Sequence, residues 1–302
     1  MTGSPTVGLL YPGEMGASLG KLLTAAGLRA VTAATGRSDQ TLQRSREAGI
    51  ELLACLTDVV RQSSYVFSLV EPSAAAQIAR CYAQSAHLAP PGTLYIDANS
   101  IGPETTRAVG EIISESGCDF VDGAINGAAK TLSTSGTFFL SGPRAGDVAR
   151  LLASVVRVHV LGSEIGQAST LKMLLGGLTK GMCALFLELA LLAQERRMFP
   201  EMMEACTMIY PGIITVIDRM LPTYARHSGR RSVEMQELQR TLENTELEPC
   251  VIAAVRELHE RLAALPMDPS DGANVASLVH RTMTGGLLAA DPASASAEPK
   301  VA

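Results

Sequence analysis

The chain changes its periodicity once, near Gly162, and that change limits the folds open to it. Before that point, apolar runs of strand length alternate with stretches whose apolar residues recur at helical spacing. Residues 6–11, 28–35, 65–70, 93–98, 119–125, 137–141 and 155–161 read as strands. Helices are expected over 14–26 and 38–48, closed by Gly27 and Gly49, and again centred near residues 77, 109 and 148. Strand–helix alternation of this kind predicts a mostly parallel, doubly wound sheet. From residue 167 to 197 no turn signal interrupts a helical period carried by Leu171, Leu174, Leu175, Leu178, Met182, Leu185, Phe186 and Leu189. At 1.5 Å per residue this helix would run about 45 Å, long enough to join two domains. Helices are expected to follow over about 200–208, 211–226, 231–244 and 249–264. The predicted organisation is an α/β domain over 1–163, then an all-α domain over 164–290 entered by the long helix. Residues 291–302, small, polar and Pro-containing, are expected to be disordered.

Composition excludes several partners. Of the 302 residues, 47% are hydrophobic, enough to fill two cores, and the net charge of −5 gives no basic field for nucleic acid or an anionic membrane. Trp is absent and aromatics are 4%, which removes the usual base-stacking platforms. The longest apolar run, over 182–193, is broken by Glu188; it is too short to span a bilayer and reads as a buried helix. The N-terminus has no positively charged signal segment, and the six cysteines show no CxxC pairing, so reduced thiols in a cytoplasmic protein are expected. The five histidines form no i, i+4 pair, so no metal site is expected.

The first turn reads Tyr11-Pro12-Gly13-Glu14-Met15-Gly16. Aligned on the dinucleotide fingerprint, Gly13 lets the backbone approach a pyrophosphate and Gly16 lets the helix pack closely on the sheet. The helix that follows offers free N–H groups and a positive dipole end to the phosphates. Tyr11 stands where the first glycine of that fingerprint usually stands. An ordinary tight turn is the alternative, and the loop's position in the first strand–helix unit of an α/β series favours the cofactor. At the end of the second strand Arg37 and Ser38 replace the Asp or Glu that accepts ribose hydroxyls in NAD sites. A guanidinium and a hydroxyl suit a 2′-phosphate, so NADP is expected rather than NAD. Alternatively Arg37 is a solvated residue and Ser38 only a helix cap.

The chain resembles, over nearly its whole length, the 3-hydroxyisobutyrate and 6-phosphogluconate dehydrogenase-like (β-hydroxyacid dehydrogenase) superfamily. Four segments carry the resemblance: the loop from Pro12 to Gly16; Asp97-Ala98-Asn99-Ser100-Ile101-Gly102-Pro103; Phe120-Val121-Asp122-Gly123-Ala124-Ile125-Asn126-Gly127; and Gly166-Gln167-Ala168-Ser169-Thr170-Leu171-Lys172. Lys172-Met173, Thr179-Lys180-Gly181 and residues 230–237 resemble a poorly characterised branch with its own helical C-terminal domain. The resemblance implies a Rossmann domain followed by helices, and hydride transfer between NADP and a small hydroxy acid or its keto or semialdehyde form. It implies Lys172 as general acid/base, with Asn99, Ser100, Asn126, Gly127 and Gly176 around the substrate. Tyr11 to Gly16, Arg37, Ser38, Val70, Glu71 and Asn99 would hold the cofactor. Two residues depart from the better-known enzymes: Gly176 stands where they carry an Asn one turn after the lysine, and Asn126 replaces a serine.

The chemistry needs a group that takes the hydroxyl proton as hydride leaves, and a lysine can do this if burial or a nearby positive charge tunes it toward neutrality. Gly176, Thr179 and Cys183 continue the stripe of Lys172 and would leave room for a ligand. A snorkelling surface lysine is the bland alternative. Arg230, Arg231 and Glu234 read either as a substrate clamp or, slightly ahead, as a solvated, salt-bridged helix face. The helical half is too small to cover a 45 Å helix (about 1.5 Å per residue), so a symmetric homodimer burying more than about 2,000 Å² is expected. An imine reductase of the same architecture, usually with Asp or Tyr at the Lys172 position, and a non-catalytic NADP-binding protein are the alternatives.

Overall fold

Alternation along the strands builds two cores. In the computed structural model, which describes residues 4–288, strand β1 (Thr6–Leu10) sends Val7 and Leu9 into one apolar layer and Leu10 into the other. Further along the sheet Phe67, Leu94, Ile96 and Val121 join the first layer, while Val66, Tyr95 and Phe120 join the second. Strands buried on both faces need helices on both faces, which is the doubly wound arrangement. The elements follow in order: α1 (Glu14–Ala25), β2 (Arg29–Ala33), α2 (Asp39–Glu47), β3 (Glu51–Leu53), α3 (Leu56–Gln62), β4 (Tyr65–Ser68) and α4 (Ala75–Ala83). Then come β5 (Leu94–Asp97), α5 (Pro103–Glu115), β6 (Asp119–Asn126), the single turn α6 (Leu132–Ser135), β7 (Thr137–Ser141), α7 (Ala145–Leu152) and β8 (Arg157–Gly162). They form an eight-stranded sheet of order β3-β2-β1-β4-β5-β6-β7-β8, parallel at every pair except β6–β7.

The sequence reading has no β3 and no α3. A three-residue strand is too short to display alternation, and α3 offers only Val59 and Val60 as fully buried apolar residues.

The long helix α8 (Gln167–Glu195) is present as expected. The described residues divide into two compact units, with the division inside α8 between Leu174 and Leu175. Its first turn belongs to the sheet because Asp122 of β6 accepts hydrogen bonds from the backbone of Ala168 and Ser169. By length and composition alone α8 could cross a membrane, with a mean hydropathy of 1.6 over its best window, of which 44% is buried in the protein. The core helix of a soluble protein passes the same test of length and composition.

In the second unit α9 (Phe199–Ile209), α10 (Pro211–Met220), α11 (Tyr224–Glu243), α12 (Cys250–Ala264) and α13 (Val275–Thr284) follow. The break expected between 226 and 231 lies instead at a 3₁₀ turn, Leu221–Thr223. Pro222 lacks an N–H and cannot continue α10, whereas Gly229 sits inside α11, where an exposed glycine costs only about 1 kcal/mol. Helix α13, which the sequence reading lacks, starts on an Asn274 cap whose Oδ1 accepts from Ser277 N at 2.8 Å. The expected disordered segment 291–302 lies outside the described residues.

Candidate functional site

Strand β1 lies between β2 and β4, so the winding direction reverses beside it and a crevice opens at its C-terminal end. Tyr11 leaves that end with φ +53°, a left-handed conformation that costs a non-glycine residue about 1–2 kcal/mol. Gly13 then caps α1 in extended backbone, and the first helical hydrogen bond runs from Ala17 N to Gly13 O at 2.9 Å. The amides of Glu14, Met15 and Gly16 therefore precede the helical ladder and form its positive end. A Cβ built on Gly13 would meet nothing within 4 Å, so the backbone is open to a ligand at that point. One on Gly16 would stand 3.0 Å from Pro12 Cβ, a close turn contact. The tightest approach of helix to sheet belongs to Gly20, where a Cβ would fall 2.5 Å from Ile50 Cδ1 and 2.9 Å from Leu9 Cδ1. The sequence reading gave that packing to Gly16; the four-residue spacing of the two glycines was the available signal. An open glycine, an adjacent helix N-terminus and a switch-point crevice fit a dinucleotide pyrophosphate.

At the end of β2, Ser38 caps α2, its Oγ accepting from Thr41 N at 3.3 Å. Arg37 lies with its guanidinium carbon 3.7 Å from the centroid of the Tyr11 ring, and its Nε–H donates to Thr35 O at 3.4 Å. Burial raises the Tyr11 phenol above its usual value, with the Arg37 charge opposing, so it stays neutral at physiological pH.

Asn99, expected to touch cofactor and substrate, is 3% exposed and engaged within the protein. Its Oδ1 accepts from Val70 N at 2.6 Å, and its Nδ2 donates to Ser68 Oγ at 3.0 Å and Asp97 Oδ2 at 2.8 Å. It ties the end of β4, where Val70 and Glu71 stand, to the end of β5. Ser100 is half-buried in the next turn. Asn126 and Gly127 are exposed at the end of β6, on the same edge of the sheet as the glycine turn. Gly127 has φ +137°, and a Cβ there would lie 3.0 Å from Gly136 Cα, so glycine is required.

Two carboxylates that sequence reasoning left out of the site organise it. Asp97 and Asp122 are register partners on β5 and β6, and both are 1% exposed. Asp122 Oδ2 accepts from the backbone N–H groups of Gly166 (3.0 Å), Ala168 (3.0 Å) and Ser169 (3.1 Å), and from Ser141 Oγ at 2.9 Å. It thus does at long range what an N-cap does locally: it satisfies the free amides of α8 and fixes that helix on the sheet. Burial raises its carboxyl, and those hydrogen bonds oppose the rise.

Lys172, half-buried, follows Ser169 by three residues on the anchored segment. Burial pushes Asp97 up to about 7 against the hydrogen bonds from Asn99; the charge of Asp122 adds to the rise and that of Lys172 opposes it. The charge beside Lys172 that this coupling identifies is a carboxylate, where the sequence reading considered a positive one. Lys172 is thus a titratable group coupled to a buried acid. Only the pairing of β5 with β6 brings the two aspartates together, which is why no spacing in the sequence announces them.

In the second unit Gly176 does not open an empty space. A Cβ there would stand 3.1 Å from Lys180 Nζ, which donates to Gly176 O at 3.4 Å and pairs with Glu234 at 2.8 Å. Arg231 is 4% exposed and lies 3.9 Å over the Tyr224 ring. Of the three charged residues expected on a solvated face, Arg230, Arg231 and Glu234, Arg230 is the exposed one, and it reaches Glu234 at 3.7 Å. Below them His259 Nδ1–H donates to Val255 O (2.8 Å), so its Nε2 accepts from the Tyr224 hydroxyl (3.0 Å). Burial pushes His259 down to about 4.

The family model for the NAD-binding domain of 6-phosphogluconate dehydrogenase matches residues 6–177, and residues 196–262 match a domain of unknown function, DUF1932. An uncharacterized 28.5 kDa protein of Methanothermus fervidus is 28% identical over 233 residues, covering 76% of this chain and 88% of that protein. Among solved structures, MTH1747 is a conserved protein of unknown function with structural similarity to 3-hydroxyacid dehydrogenases. It is 28% identical with a TM-score of 0.68, covering 85% of this chain and 96% of its own. The 3-hydroxyisobutyrate dehydrogenase of Mycobacterium tuberculosis superposes with a TM-score of 0.75 over 91% of this chain and 99% of its own, at 16% identity, a likeness of fold. The first match spans more than half of the chain and contains both the glycine turn and the Asp122 anchor: the protein belongs to the family of the 6-phosphogluconate dehydrogenase NAD-binding domain, within the β-hydroxyacid dehydrogenase-like superfamily.

Proposed function

We propose that the protein is an NADP-dependent oxidoreductase that interconverts a small hydroxy acid with its keto or semialdehyde form, using Lys172 as general acid/base. The observation that carries this reading is the Asp122 anchor, which fastens the segment bearing Lys172 to the same sheet that bears the glycine turn. The nicotinamide, when bound, supplies or accepts the hydride. Lys172 gives its proton to the carbonyl oxygen in reduction and takes the hydroxyl proton in oxidation. The charge of Lys172 favours ionisation of Asp97 against its burial, so the two groups are electrostatically coupled. Gly13 and the amides of residues 14–16 receive the pyrophosphate, and Arg37 and Ser38 the 2′-phosphate. Asn99 acts as a positioning residue that holds the Val70–Glu71 turn, while Ser100, Asn126 and the Gly127 amide are the candidate donors for the substrate's oxygens.

The protein is further proposed to be a cytoplasmic homodimer. Leu178, Leu185, Leu189 and Leu192 are 63%, 63%, 48% and 52% exposed along one face of α8, an apolar stripe that suits a second copy of itself.

The test is a screen of NADPH oxidation with keto acids, semialdehydes and cyclic imines. Turnover of an oxo acid or semialdehyde is the expected result; turnover of imines alone would replace this reading with imine reduction. No turnover with any carbonyl compound or imine, despite tight NADPH binding, would leave a non-catalytic binding protein.

A further inference from the structure

We propose that Tyr11 is the specificity-determining residue for the cofactor's 2′-phosphate, acting through Arg37; this rests on the reading of Arg37 as the 2′-phosphate contact. Three observations support it. First, Tyr11 holds φ +53°, a backbone conformation that glycine takes without strain. A side chain kept at such a position against its backbone preference points to a role for that side chain. Second, the Arg37 guanidinium carbon lies over the Tyr11 ring, 3.7 Å from its centroid. A cation–π contact uses no N–H donor; with Nε–H given to Thr35 O, the two terminal NH2 groups carry the donors for phosphate oxygens. Third, the partner is uncharged: burial holds the Tyr11 phenol protonated, and among the described residues Arg37 makes no ion pair. The cation is oriented without being neutralised.

The bare turn of the dinucleotide fingerprint would leave Arg37 swinging on a long flexible side chain, to be ordered each time a phosphate arrives. Tyr11 orders it beforehand. The two residues come from adjacent strands, β1 and β2, paired in parallel, so their C-terminal ends emerge side by side. The aromatic residue thus links the pyrophosphate turn to the 2′-phosphate corner. NADH, which has no phosphate at that corner, gains nothing from it.

The experiment measures dissociation constants of NADPH and NADH by nicotinamide fluorescence, without turnover, for the wild type, Tyr11→Phe, Tyr11→Leu, Tyr11→Gly and Arg37→Lys, each checked for folding by thermal melt. The wild type should prefer NADPH. Tyr11→Phe, which keeps the π face, should hold that preference within about twofold. Tyr11→Leu keeps bulk but lacks the face, and Tyr11→Gly relieves the backbone. Both should lose about five- to thirty-fold of the NADPH/NADH ratio, the worth of one cation–π contact at a partly buried site. Arg37→Lys leaves Tyr11 untouched and should also lose most of the preference, because an ammonium lacks the planar fork. It serves if the Leu and Gly variants do not fold. A full NADPH preference retained in the folded Leu and Gly variants, or in Arg37→Lys should those not fold, would overturn the inference while leaving NADP specificity standing. Equal loss for both cofactors would assign Tyr11 a packing role only. A wild type indifferent to the 2′-phosphate would remove the NADP reading and this inference with it.

Discussion

Asp122 collects more hydrogen bonds than any other side chain near the proposed site, and its loss exposes what it does. Asp122→Ala would leave the amides of Gly166, Ala168 and Ser169 without their acceptor in a buried place, so a destabilisation of about 2–4 kcal/mol is expected in denaturant melts. Two other buried groups set the pH dependence of stability with opposite signs. Asp97 has its folded pKa raised from 3.8 to about 7, so its contribution is complete below 3.8 and is lost as pH rises through about 7. His259 has its folded pKa lowered from 6.5 to about 4, so stability is complete above 6.5 and declines as pH falls toward 4. At about 1.4 kcal/mol per pKa unit the effects are about 4 kcal/mol for Asp97 and about 3 kcal/mol for His259, and in the wild type they oppose each other across this range. Chemical denaturation between pH 4 and 7 should therefore show stability rising with pH in Asp97→Asn and falling with pH in His259→Phe. Parallel profiles in the two variants would contradict the assignment of either group. At this scale the sequence offers candidates where a motif names a residue, as with Lys172, Gly13 and Arg37, whose proposed roles the variants test. It was silent where strand pairing creates the relation, as between Asp97 and Asp122, or where side chains from α8, α11 and α12 meet, as around His259.

The elements that hold the cofactor turn can be separated by their glycines. Gly20→Ala puts a methyl into Ile50 and Leu9 and should cost about 1–3 kcal/mol of stability, in spite of alanine's better helix propensity. Gly13→Ala adds its methyl in open space on ordinary backbone, so the melting temperature should barely change while NADPH affinity falls at least about tenfold, the equivalent of one lost phosphate contact. Unchanged affinity in Gly13→Ala, measured by fluorescence titration, would dissociate the turn from the cofactor. Most elements were readable because length made their period visible: α8 and the strands of the central sheet stand out. The pair β3–α3 did not, being short and at one edge. The α10–α11 boundary misled because Gly229 looked like the break, while Pro222, seven residues earlier, is the residue that backbone geometry obliges to be one.

At the scale of the whole molecule, the switch from α/β alternation to helices gave the two-part organisation, while the exact division depended on the hydrogen bonds that bind the start of α8 to the sheet. The proposed dimer has its test here. Leu185→Glu, on the exposed stripe of α8, should shift light-scattering mass toward one chain at micromolar concentration without lowering helix content, and a wild type that is already monomeric would refute the dimer. The central claim, a dehydrogenase working through Lys172, is tested most directly by comparing Lys172→Ala with the wild type in NADPH affinity and in turnover of the best substrate from the screen. NADPH affinity is expected to be nearly unchanged, with turnover reduced by about two to four orders of magnitude, the usual worth of one positioned proton-transfer group. Turnover within about threefold of wild type, the behaviour of a snorkelling surface lysine, would contradict it.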